Sequence, residues 1–217
     1  MVVEDIFAVD DPSGSRDFAS SSPTNTRIME SSHPRIGSFI ISVLPTSTKR
    51  ALNLLSSQRW LNKTKWYLAG GTALAMNVGH RRSVDLDFFT PQATFSTTVL
   101  IKHFDELEWE IDIVREGTVY GRLSGAKVSF IAYPFFLPKE PMWKYGAVRV
   151  LSPKDVAVMK VIAVSQRGRK RDFVDLFWYA THYEPLVDVL RRLPAQYPTV
   201  AHDYHHILKS QSIPIHE

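Results

Sequence analysis

The alternation of apolar and polar residues divides the chain into helix-like and strand-like stretches. Between residues 46 and 62, Ala51, Leu54, Leu55, Trp60 and Leu61 recur near helical spacing, which predicts an amphipathic helix. Residues 66–69 form a short β-prone run ending at Gly70-Gly71, and residues 72–78 form a short helix stopped by Gly79. Residues 84–89 are a second strand, 94–107 a helix and 109–114 a third strand. Residues 118–123 and 127–133 pair as a hairpin through Ser124-Gly125, and 148–151 add a short strand. Pro153 opens a helix that runs to residue 164, because proline is tolerated in a first helical turn. Residues 172–181 and 186–193 continue as helices. Mixed strands come first and helices last, so the expected class is α+β with a C-terminal helical subdomain. The chain shows no internal repeat.

The first 35 residues depart from this pattern. Residues 10–34 hold Pro12, Pro23, Pro34 and the run Ser20-Ser21-Ser22, with few large apolar side chains. Such a segment buries too little apolar surface to offset its ordering entropy, so residues 1–35 are expected to be disordered. A 217-residue chain with 44% hydrophobic residues still suffices for one globular core. Lys and Arg number 26 against 22 Asp and Glu, a net charge of +4 that suits nucleic acid or phosphorylated ligands without singling them out. The absence of cysteine excludes disulfides, a thiol nucleophile and thiolate metal sites. There is no basic-then-apolar signal layout and no bilayer-length apolar run, so a soluble cytoplasmic protein with no membrane partner is expected.

The chemistry concentrates in residues 67–90, YLAGGTALAMNVGHRRSVDLDFFT. On a strand, Val84, Leu86 and Phe88 point one way, while Ser83, Asp85 and Asp87 share the other face. Carboxylates so spaced have Cα atoms about 6.5–7 Å apart, and their oxygens can converge on one hard divalent cation or two adjacent ones. Magnesium favours a few carboxylates together with phosphate oxygens and water. Ions held there would neutralise the oxygens of an in-line phosphoryl displacement. An ordinary half-buried strand with a solvated acidic face presents the same alternation. Context separates the two readings. Gly70-Gly71 ends a strand and opens a helix, where free N–H groups favour phosphate and the missing Cβ lets a ligand reach the main chain. Arg81 and Arg82 directly precede the aspartates and are candidate triphosphate contacts.

In the helix at 153–164, Val156, Val158, Met159, Val161, Ile162 and Val164 occupy nearly all sides, so it should be largely buried. Lys160 sits among them, and it needs either an anion or a route along its stem to solvent. Asp172 and Asp175 are neighbours on one helix face. They serve a site or simply favour the dipole of a first turn, with Arg169 or Arg171 as an alternative partner for Asp175. Arg167, Arg169, Lys170 and Arg171 flank Gly168 and suit a phosphate-steering patch or a solvated loop equally. His202, His205 and His206 lack a partner that completes a metal site and are read as surface residues.

Gly70-Gly71, thirteen intervening residues and Asp85-x-Asp87 together resemble the signature of DNA polymerase β-like nucleotidyltransferases. More narrowly, GGTALA followed by GHRRSVDLDFF resembles the AbiEii-type nucleotidyltransferase toxins of bacterial toxin–antitoxin systems. The string MKVIAVSQRGRKRDFVDLFW, residues 159–178, is similar to that family's second block. The resemblance spans roughly residues 66–183. It implies a polymerase β-like mixed sheet flanked by helices, with residues 36–152 as the nucleotidyltransferase core and 153–217 as a helical part completing the active site. It implies metal-dependent transfer of a nucleoside monophosphate from an NTP to an acceptor, tRNA or another RNA, with Mg2+ or Mn2+ as cofactor. A separately encoded antitoxin of a type IV system is the implied partner.

On this resemblance Asp85, Asp87, Lys160 and Asp172 form the catalytic set, with Asp85 and Asp87 as metal ligands. Gly70, Gly71, Thr72, Arg82, Ser83 and Lys160 are the expected nucleotide contacts, and Ser83 is a further candidate for modification. One departure stands out. Polymerase β-like enzymes often carry a third carboxylate on a later strand, whereas the strand at 127–133 has Ser129 on the face concerned. Asp112 substitutes if its strand abuts the site, or Asp172 acts as the base. The gap keeps open a catalytically degraded nucleotide- or RNA-binding module. An antibiotic-modifying enzyme with a small-molecule acceptor shares the same core chemistry.

Overall fold

The computed structural model describes residues 38–105 and 107–199. The expectations for residues 1–35 and for His202, His205 and His206 lie outside these described residues. A 3-10 turn (Ile41–Val43) leads into α1 (Thr46–Ser56) and α2 (Arg59–Asn62). The single helix expected over 46–62 is therefore broken. The hydroxyls of Ser56 and Ser57 donate back to the carbonyls of Asn53 and Leu54, and such local bonds compete with helix continuation.

Next come β1 (Tyr67–Ala69), α3 (Gly70–Val78) and β2 (Leu86–Thr90). The strand expected to begin at residue 84 starts two residues later, because its neighbours' main-chain groups are engaged elsewhere. The N–H of Ser83 donates to the carbonyl of Val43, and the hydroxyls of Thr48 and Thr72 donate to the carbonyls of Val84 and Asp85. The helix expected at 94–107 shrinks to α4 (Thr97–Lys102), whose start is set by the Ser96 hydroxyl accepting from the N–H of Val99. Then follow β3 (Trp109–Arg115), the hairpin of β4 (Thr118–Leu123) and β5 (Ala126–Ala132), and a second hairpin of β6 (Trp143–Tyr145) and β7 (Val148–Val150). The three-residue β6 is too short to leave a periodic signal and was not expected. The helices α5 (Pro153–Arg167), α6 (Lys170–His182), α7 (Leu186–Arg191) and α8 (Leu193–Gln196) close the described chain.

The seven strands of the described residues form one mixed sheet in the order β3-β4-β5-β2-β1-β7-β6. The pairs β2–β5 and β1–β7 are parallel and the others antiparallel. The α+β class with a C-terminal helical region is thus the observed one. Period-two alternation gives the sheet two different faces. On one, Leu86 and Phe88 of β2 lie beside Val128 and Phe130 of β5, all buried. Phe88 and Phe130 stack at 5.0 Å, and Trp66 meets Phe130 edge-on at 5.1 Å. On the other, Asp87 lies beside Ser129, and Phe89 beside Ile131. This second face carries the chemistry.

One buried carboxylate ties the start of α5 to the segment before β6 and to α8. Asp155, fully buried in the first turn of α5, accepts from the N–H groups of Lys139 and Glu140 at 3.2 and 3.0 Å and from the side chain of Gln196 in α8. Burial pushes its carboxyl above the usual carboxylate range despite these bonds. Asp155→Ala would strand two backbone donors and is expected to cost about 2–4 kcal/mol, lowering Tm by roughly 5–15 °C in thermal unfolding. Asp155→Asn keeps an acceptor oxygen and should lose less than half of that.

Candidate active site

A cavity of about 660 Å³ opens on the polar face of the sheet. Its walls are the first turn of α3, the loop before β2, one face of β4 and β5, and one side of α5 and α6. Gly70, Gly71, Thr72, Ser83, Asp85, Asp87, Lys160 and Asp172 all line it. Arg82 does not: it is exposed, and its neighbour Arg81 takes the place on the wall. In an irregular segment, adjacent side chains diverge, so sequence position alone could not choose between them.

The diglycine has a steric cause. Gly70 has φ +66°, in the left-handed region, and a Cβ there would lie 3.2 Å from an oxygen of Asp87. A Cβ on Gly71 would lie 2.1 Å from Nη2 of Arg81. The first turn of α3 has no side-chain cap, which leaves N–H groups of that turn for a ligand. Thr72 ties this turn to the aspartate loop. Its hydroxyl donates to the carbonyl of Asp85, so the 2.8 Å contact with Ser83 has Ser83 as donor.

The two aspartates differ in setting. Asp85 sits on the loop, partly exposed, with Arg171 Nη1 at 3.6 Å. Asp87 sits on β2 and accepts from the Ser129 hydroxyl at 2.7 Å. Among the described residues, no Lys, Arg or His nitrogen comes within ion-pair distance of Asp87. Burial raises its carboxyl above the ordinary value, and repulsion from Asp85 adds to this against the Ser129 bond and the fields of Lys160 and Arg167. An under-compensated carboxylate beside a second one is the donor set a hard divalent cation fits. Among the described residues no cluster of three or more acids or histidines could hold a metal. A cation at this pair would therefore draw its other ligands from substrate and water.

Register explains the departure noted in the sequence. Ser129 is the direct partner of Asp87 on the parallel strand β5, so the position that could carry a third acid is occupied by a hydroxyl. Asp112 does line the cavity, from an irregularity in β3. However, β3 is three strand spacings from β2, roughly 14 Å. It does not abut the aspartate pair, and Asp112 faces Arg122 at 3.6 Å instead.

Across the cavity, Lys160 is buried, and its ammonium lies 2.7 Å from Asp172 and 2.6 Å from Asp175. Arg167 grips Asp172 with two donors, at 2.8 and 3.1 Å. Burial works to raise the Asp172 carboxyl, but Arg167 and Lys160 outweigh it and hold it below the ordinary value. Asp175 corrects the expectation that it pairs with Arg169 or Arg171. It is fully buried, and its partners are His80, Arg81 and Lys160. Burial opposes ionisation here too, yet these three partners drive the Asp175 carboxyl well down. His80 is a polar partner that sequence reasoning did not identify, and for Ser129 it gave the face but not the bond to Asp87. The available signal was the three-residue spacing of Asp172 and Asp175 beside a lysine on a buried helix, which suggests that both acids face it.

The model of the family described as "Nucleotidyl transferase AbiEii toxin, Type IV TA system" matches residues 54–118 and 138–213. The chain belongs to the AbiEii nucleotidyltransferase toxin family. An uncharacterised protein of Aquifex aeolicus is 35% identical over 151 residues, covering 67% of this chain and 71% of its own length. Among solved structures, the antibiotic-resistance factor ANT(2'')-Ia is similar with a TM-score of 0.52 at 11% identity, over 69% of this chain and 91% of that one. That likeness bears on the fold alone. The nucleotidyltransferase toxin MenT4 of Mycobacterium tuberculosis is similar with a TM-score of 0.45 at 18% identity, over 69% and 64% of the two chains. The first AbiEii segment contains the diglycine and both aspartates, and the second contains Lys160, Asp172 and Asp175, whereas the cavity lining from Tyr120 to Tyr133 falls between the two segments. Among the described residues no helix is long and apolar enough to cross a membrane.

The setting of Asp87 predicts a conflict between stability and activity. Asp87→Asn keeps an acceptor for Ser129 while removing a poorly compensated charge, and should raise stability at neutral pH by roughly 1 kcal/mol, or about 2–4 °C in Tm. A carboxyl raised by folding binds more protons in the native state, so wild-type stability falls as pH rises through that raised value. The advantage of the variant should accordingly shrink on acidification. Added Mg2+ or Mn2+ should raise Tm of the wild type more than that of the variant.

Proposed function

We propose that this chain transfers a nucleoside monophosphate from an NTP to an RNA acceptor, as the toxin of a type IV pair with a separately encoded antitoxin. One observation carries the reading: the diglycine turn of α3, the Asp85–Asp87 pair and the Lys160 ammonium converge on a single cavity. Asp85 and Asp87 are the residues that would hold Mg2+ or Mn2+, and the ion would supply charge neutralisation at the transferring phosphoryl group. The uncapped N–H groups of Gly70, Gly71 and Thr72 bind phosphate oxygens. Lys160, and Arg81 lying beside Gly71, offer positive charge where a polyphosphate would lie. Catalysis is mainly positioning and preorganised charge. The arginines 167, 169 and 171 lining the cavity support a polyanionic acceptor such as tRNA.

The occupancy of the third-acid position by Ser129 favours a second reading, a nucleotide-binding module that has lost catalysis. Incubation with each labelled triphosphate, Mg2+ and total RNA separates them, since only an enzyme consumes nucleotide. The expected outcome is label in RNA, dependent on the metal, and reduced at least a thousandfold in Asp85→Asn. Label appearing only in a small-molecule acceptor would replace RNA by that acceptor. Undiminished transfer by Asp85→Asn would remove the site assignment.

A further inference from the structure

We propose that Asp175 is a positioning residue, which aims Lys160 and Arg81 at the polyphosphate of the donor nucleotide while His80 holds its carboxylate in place. The proposal rests on the nucleotide-transfer reading above. Asp175 does not line the cavity, whereas both Lys160 and Arg81 do. Any effect it has on a ligand passes through them.

The geometry is that of a saturated acceptor. One oxygen of Asp175 takes His80 Nε2 at 2.7 Å and Arg81 Nε at 2.6 Å. The other takes Arg81 Nη2 at 2.9 Å and Lys160 Nζ at 2.6 Å. Three hydrogen bonds from His80 and Arg81, together with the Lys160 ion pair, engage both oxygens of the carboxylate. The grip on Arg81 is bidentate, and Nη1 of the same guanidinium donates to the carbonyl of Arg82 at 2.9 Å. The guanidinium plane is therefore fixed, lying across Gly71 where a Cβ could not fit. Lys160 donates to Asp172 and is ion-paired with Asp175, and its three ammonium hydrogens leave a donor for a ligand in the cavity.

His80 completes the device. Its side chain has no exposure, and its Nδ1 has no hydrogen-bond partner among the described residues. A buried N–H without an acceptor is costly, so the hydrogen sits on Nε2 and is donated to Asp175. Its ring lies near Trp178 at 5.3 Å, away from the cavity lining. Among the described residues Lys160, Arg81 and Arg167 form ion pairs with two carboxylates, Asp172 and Asp175, so three cations meet two anions within the cluster.

A purely structural staple between the aspartate loop and α5–α6 would use the same contacts, so the test must read phosphate recognition. Fluorescent nucleoside triphosphate and the matching monophosphate are titrated into the full chain with Mg2+, with thermal unfolding followed in parallel. The wild type should prefer the triphosphate. Asp175→Asn and His80→Leu should lose triphosphate affinity roughly tenfold or more while binding monophosphate as before. His80→Gln, which preserves an N–H donor, should restore most of the preference. An unchanged ratio in folded Asp175→Asn, or equal weakening of both nucleotides, overturns the proposal. If Asp175→Asn does not fold, the histidine pair decides: equal ratios in His80→Leu and His80→Gln overturn it. A wild type that binds no triphosphate overturns the transfer reading and this proposal together, whereas a triphosphate-selective wild type with unaltered variants overturns this proposal alone.

Discussion

An ammonium group can be buried only where anions surround it, because neither water nor apolar packing can replace its hydration. Lys160 meets this demand with Asp172 and Asp175, and each of those carboxylates recruits an arginine in turn. The resulting cluster spans α5, α6 and the loop between α3 and β2. Separating these elements would leave charges unpaired inside the protein, so the cluster holds them together as a unit. The same loop carries Asp85. Its register against β5 is set independently, by the β2 residues that follow it. The cavity is the space left between a sheet and a helical pair tied to each other through that loop.

Within this space identical side chains are driven in opposite directions. Asp172 and Asp175 have more donors than an ordinary carboxylate and ionise more readily than usual. Asp87 has a single hydroxyl and a repelling neighbour and ionises less readily. The site therefore has an electropositive wall on the helices and, facing it, a poorly compensated Asp87 beside Asp85 at the edge of β2. Under the proposed reaction, a triphosphate carrying a divalent ion would complement both at once. Strain of this kind is what functional sites retain at the expense of stability.

Much of this arrangement was legible in the residues. The strand–diglycine–helix order and Asp85-x-Asp87 locate the sheet wall. A lysine on an apolar helix, followed by two acids three apart, locates the other. What local pattern could not supply was contact between distant segments. Asp85 was expected on a strand, but hydroxyls of Thr48 and Thr72 engage the carbonyls there and delay the strand to Leu86. Choosing Arg81 over Arg82 required knowing which side of an irregular loop faces α6. His80 carried no signal, since a lone histidine between glycine and arginine has no periodic context. Ser129 was identified as the residue on the searched face because alternation is local. That it meets Asp87 directly is a matter of inter-strand register.

The missing third carboxylate bears on how the acceptor would lose its proton. Asp172 is a poor base as it stands, because Arg167 and Lys160 both stabilise its ionised form and so weaken its pull on a proton. Those cations are the groups that a polyphosphate would attract, and drawing them toward the ligand would restore basicity to Asp172. Strong basicity is not required in any case. In a loose phosphoryl-transfer transition state, bond formation to the nucleophile lags behind departure of the leaving group, so little proton transfer is needed early. Two carboxylates that would face a metal, with a hydroxyl in the third position, would meet that requirement if the cations are well aimed. Under the proposed reaction, the precision of Lys160 and Arg81 then matters more than the identity of any base.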